Sequence, residues 1–69
     1  MIEFKLTRDE FIALCDLLKL TGLCENGGMA KSVIAEGLVT VDGAVELRKR
    51  AKIIKGQKVS FNQETILVN

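Results

Sequence analysis

Two hydrophobic rhythms run along this chain. Residues 2–6 read Ile-Glu-Phe-Lys-Leu, with Ile2, Phe4 and Leu6 apolar and Glu3 and Lys5 polar between them. A period of two is the repeat of a strand with one buried face. The rhythm then lengthens. Phe11, Leu14, Cys15 and Leu18 recur at helical spacing with Leu17 alongside, which predicts an amphipathic helix. Thr7 and Glu10 have capping-box spacing ahead of it, Asp9 and Glu10 sit where a helix N-terminus favours anions, and Gly22 is the stop signal. A second helix is expected from Asn26, a good cap residue, to Gly37, with Met29, Ala30, Val33 and Ile34 as its apolar stripe. Two helices this short cannot stand alone and need a sheet to pack on.

The period returns to two downstream. "LVTV" and "AVEL" flank Asp42-Gly43, a strong signal for a tight hairpin because both turn residues tolerate positive φ. "KII" runs into Lys55-Gly56, "QKVSF" alternates Val59 and Phe61, and Asn62-Gln63 turns the chain into "ETILV". The expected fold class is α+β: two helices packed on a small mixed or antiparallel sheet of about four to five short strands, in one domain spanning residues 1–69.

Composition narrows this picture. A chain of 69 residues buries only about 60% of the surface it exposes unfolded. With no Trp or Tyr and three Phe, the core must be mostly aliphatic, and aromatic platforms for stacking bases have little material. Cys15 and Cys24 stand nine apart with no histidine in the chain, a spacing that matches no metal pattern; reduced, semi-buried thiols are the expectation. The opening residues carry acidic groups and no apolar signal-like stretch, and no apolar run approaches the ~18 residues that span a membrane, so a cytoplasmic location is expected.

Charge is where the sequence becomes specific. "RKRAKIIKGQK", Arg48 to Lys58, gathers six of the ten basic residues in eleven positions without one acidic residue, although the whole chain carries only +1. Residues 1–30 are net −2 and residues 31–58 net +4. Such crowding costs folding energy unless an anion meets it. An extended run would put Arg48, Arg50 and Lys52 on one face and Ala51 and Ile53 on the other; Lys49 fits that inner face poorly and suggests a bulge, an edge strand or a loop. Arginine's planar fork suits phosphate. The competing reading is a solvated loop, or an edge strand whose charges deter aggregation. A second candidate is Gly27-Gly28 at the start of the second helix, where free N–H groups and the dipole attract anions and Lys31 follows one turn on; a plain turn with a solvated lysine is its alternative. No Walker motif is present, and no nucleophile–base pair can be assembled without histidine from these scattered carboxylates, so catalysis is not expected.

The stretch "LCDLLKLTGLCENGGMAKSVIAEGLVTVDGAV" resembles the S4 RNA-binding domain. The parts that match are the leucine-bearing helix into the turn, Leu17 to Gly22, then Ala30-Lys31, then the hairpin signature Gly37-Leu38-Val39-Thr40-Val41-Asp42-Gly43, and the likeness covers roughly Ile12 to Phe61. Many S4 domains carry Ser-Arg-Ser before the second helix, with the arginine on RNA; Asn26-Gly27-Gly28 stands there in this chain. "GGMAK" together with "RKRAKI" resembles small free-standing bacterial S4-like proteins. The resemblance implies an αL-type motif and a non-catalytic protein that binds structured RNA, with ribosomal RNA the specific candidate. The expected RNA-binding residues are Lys19, Asn26, Gly27, Gly28, Lys31, Arg48, Lys49, Arg50 and Lys52. Recognition would be of shape and backbone, which needs no stacking rings. No metal, cofactor, small-molecule substrate or membrane is expected, and the protein should act as a monomer. The alternative from another class is a protein-interaction adaptor whose basic face docks an acidic partner. A sulfur carrier of the β-grasp kind would end in Gly-Gly, whereas this chain ends Leu67-Val68-Asn69.

Overall fold

The structure is a computed structural model that describes residues 1–6 and 10–69. Its elements in chain order are β1 (Ile2–Phe4), β2 (Ile12–Ala13), α1 (Leu14–Leu20), α2 (Gly27–Ala35), β3 (Val39–Val41), β4 (Ala44–Val45), β5 (Lys52–Ile53), β6 (Lys58–Phe61) and β7 (Glu64–Val68). Five strands form a mixed sheet in the order β1-β7-β6-β3-β4, and β2 and β5 pair separately as a short antiparallel ribbon. This is the expected α+β class, two helices on a small mixed sheet. The separate ribbon was not anticipated.

The sheet is built by hairpins. β3 and β4 are joined by Asp42-Gly43, both at positive φ, 51° and 85°. β6 and β7 are joined by Asn62-Gln63, also both at positive φ, 52° and 67°. Two such residues give a turn whose twist matches that of the strands. β3 pairs antiparallel with β6, and the N-terminal β1 adds to the outside of β7 in parallel, Ile2 opposite Ile66 and Phe4 opposite Val68. The sheet's inner face supplies Val39, Val59, Ile66 and Val68 to the core. The helices supply Leu14, Cys15, Leu17, Leu18, Ala30, Val33 and Ile34. Cys15 and Cys24 are both buried and unpaired, deeper than the semi-buried thiols expected. Burial raises the Cys24 thiol pKa.

The second helix follows the sequence closely. Asn26 caps it, its Oδ1 accepting the Met29 N–H at 2.8 Å. At the other end the N–H groups of Gly37 and Leu38 reach back to the carbonyls of Ile34 and Val33, a Schellman closure with Gly37 at φ 78°. Met29, however, points outward rather than into the apolar stripe.

The first helix departs from expectation. It begins at Leu14, after the extended pair Ile12–Ala13, and Phe11 is exposed instead of on the buried stripe. The expected capping box on Thr7, with Asp9, falls outside the described residues. The residue at the N-cap position is Ala13, which has no side chain to cap with. The cap comes from across the fold: the N–H groups of Leu14 and Cys15 donate to the carbonyls of Ala51 and Lys49, at 2.9 and 3.0 Å.

Candidate nucleic-acid interface

Those two hydrogen bonds determine how the basic cluster is displayed. Residues 46–51 link β4 to β5, and the chain at Arg48–Ala51 is a tight turn, closed by the Ala51 N–H on the Arg48 carbonyl at 3.2 Å. Of the bulge, edge strand or loop suggested at Lys49 the structure has a loop, and regular alternation begins only at Lys52. The cause is the helix: its free N-terminal amides need acceptors, and the turn aims the Lys49 and Ala51 carbonyls at them. Ala51 and Ile53 are buried, as alternation suggested, while Arg48, Lys49, Arg50 and Lys52 are all exposed. The inward carbonyls meet the positive end of α1, and the cationic side chains stand on the outer side of the same strap.

Arg48, Arg50, Ala51 and Lys52 line one open depression of about 580 Å³. Its three cationic side chains suit an anionic group lying across the surface.

Among the described residues two neighbours modify these cations, and the sequence reading identified neither. Glu46, two residues outside the basic run, holds Arg48 in a fork: Nε to Oε2 and Nη2 to Oε1, both at 3.0 Å, with the Arg48 backbone N–H also on Oε2 at 3.0 Å. The Arg48 side-chain bonds, then its backbone bond, lower the Glu46 pKa to about 2. Arg48 is thereby aimed while its side chain remains 79% exposed. The second neighbour is Phe11, whose ring centroid lies 4.9 Å from the Lys52 ammonium. The Arg48–Glu46 pairing followed from nothing but close sequence spacing, and the Phe11–Lys52 contact exists only because β2 pairs with β5.

The other expected site residues occupy α2's start and α1's end. Asn26, Gly27 and Gly28 form the α2 tip, with Lys31 exposed one turn further on. A Cβ on Gly28 would come within 3.3 Å of the Asn26 Oδ1, so Gly28 leaves room for the cap; Gly27 has open space around it. Lys19 is exposed in the last turn of α1. The Cys24 N–H donates to the Leu18 carbonyl at 3.1 Å, so the chain heads into α2 from beside the last turn of α1, whereas the basic strap holds the first. A seven-residue helix separates those two ends of α1 by about 10 Å.

A helix pair on a mixed sheet, with a cationic strap on the first helix, is an αL-type architecture. The family model described as S4 domain matches residues 4–69, and the chain belongs to that family. It is 54% identical over 68 residues to YbcJ of Escherichia coli (strain K12), covering 99% of this chain and 97% of that protein, and equally to YbcJ of Shigella flexneri. The solution structure of Escherichia coli YbcJ, described as an αL motif involved in RNA-binding, superposes with a TM-score of 0.76 over 99% of this chain and 86% of that one. The 30S ribosomal protein S4e of Thermoplasma acidophilum matches at TM-score 0.63 and 26% identity, over 84% of this chain and 31% of that chain.

Proposed function

We propose that this protein is a non-catalytic, cytoplasmic RNA-binding protein that grips the backbone of structured RNA, acting as a monomer. The observation that carries the reading is the strap: three exposed cations, Arg48, Arg50 and Lys52, surround one depression on a backbone pinned to the α1 N-terminus. Because Leu14 and Cys15 spend their amides on protein carbonyls, phosphate there is held by side chains and not by the helix tip. Lys49 adds charge from the turn itself. Lys31 and the Gly27 and Gly28 amides extend the track to α2, Asn26 acting by holding that tip in shape, and Lys19 lies at its rim. YbcJ's described RNA-binding motif supports RNA as the polyanion, and the likeness to a 30S ribosomal protein favours ribosomal RNA.

The adaptor reading, with an acidic protein on the same face, has no separate observation in its favour. Filter binding at moderate salt tests the proposal by comparing the wild type with an Arg48→Glu/Arg50→Glu/Lys52→Glu variant on structured RNA. Affinity should fall at least tenfold in the variant. Equal affinity would reject the assigned face.

A further inference from the structure

The three phenylalanines have different surroundings. Phe4 and Phe61 pack against the core, whereas Phe11 is 43% exposed. A single exposed apolar residue is ordinary; the neighbours give this one meaning. In the β2–β5 ribbon Ile12 lies opposite Ile53 and Ala13 opposite Lys52. Phe11 directly precedes Ile12 on one strand and Ile54 directly follows Ile53 on the other, so both stand at the same end of the ribbon. Phe11, Lys52 and Ile54 are all exposed, while Ile53, and Ala13 opposite Lys52, are buried. The Lys52 ammonium lies over the Phe11 ring, and the same lysine lines the depression with Arg48 and Arg50. Through Lys52 the aromatic ring thus adjoins the place where phosphates would lie.

We propose that Phe11 is a stacking platform for one unpaired base of the bound RNA, so that the protein selects RNA with a bulged or looped-out nucleotide over a continuous duplex. This rests on the RNA-binding reading above and adds a specificity-determining residue to it. Every base presents a π-face, and a base within a duplex has both faces covered by its neighbours; only an extruded one can lie on a protein ring. Lys52, on a flexible stem, covers the ring in the free protein, and it moves to the adjacent phosphate as the base takes its place.

The test uses two RNA duplexes of equal length, one with a single bulged adenosine. Stacking on one ring predicts that the wild type prefers the bulged RNA by about 5- to 150-fold. Phe11→Leu keeps apolar bulk without the aromatic face and should bring that ratio close to one. Phe11→Trp should retain the preference. It also introduces the chain's only tryptophan, whose emission should be quenched by the bulged RNA and much less by the duplex. Melting curves of both variants establish that they are folded. A wild type that binds both RNAs equally, or a Phe11→Leu protein that keeps the preference, overturns the platform while leaving the RNA-binding reading intact. A wild type that binds neither RNA better than the charge-reversed variant overturns both.

Discussion

Glu46 sets the behaviour of a single cation. By bonding Nε and Nη2 of Arg48 it leaves the remaining guanidinium N–H groups for a phosphate, but it also opposes that phosphate with a negative charge. Its pKa is lowered to about 2 by Arg48, against about 4.3 for an unperturbed glutamate. A carboxylate whose folded pKa is depressed contributes stability that is complete above the unfolded value and is lost as the pH falls towards the folded one. Thermal melts should therefore show a loss of wild-type stability between about pH 4.5 and 2 that is smaller in Glu46→Gln. At neutral pH the same variant should bind RNA more tightly, because a cation is released from its carboxylate; weaker binding would mean that aiming Arg48 matters more than freeing it. Some residues could be read from sequence alone. Asn26 and Gly37 act through the backbone nearest them, and both stand where they were expected. Phe11 could not, since its spacing fits the helical stripe and only the chain's extended path there removes it from the core.

The decisive element is the strap. A helix that starts with an alanine at its N-cap has no cap of its own, and Lys49 and Ala51 supply one from a segment more than thirty residues away. Stability and charge display are coupled through this contact. Inserting one glycine between Lys49 and Arg50 leaves every charge in place but takes the two carbonyls out of register with Leu14 and Cys15. Loss of both bonds should cost about 1–3 kcal/mol in chemical denaturation, and RNA affinity should fall as well. Unchanged hydrogen-exchange protection at the Leu14 and Cys15 amides would show that the strap is not the cap. The hairpins were readable because Asp42-Gly43 and Asn62-Gln63 carry their turn chemistry in adjacent residues. The start of α1 was not, because its cap is tertiary.

At the scale of the whole molecule, a net charge of +1 gives little general attraction for RNA, so binding must come from where the charges are held. Neutralising four or five phosphates predicts a log–log salt slope of about −3 to −4. A slope near −1 from filter binding over a salt series would leave the strap and the α2 tip without their joint role. The sequence by itself determined the helix pair, the two tight hairpins, the aliphatic core and the crowding of cations after Leu47, because each depends on periodicity, turn chemistry or composition within a few residues. Only the tertiary structure decided that β1 lies in parallel beside β7, that β2 and β5 form their own ribbon, and that the strap caps α1 with its cations facing outward beside an aromatic ring. Those arrangements join residues far apart in the chain, and what selects them is the need to satisfy buried backbone amides and bury apolar surface together, which no local pattern encodes.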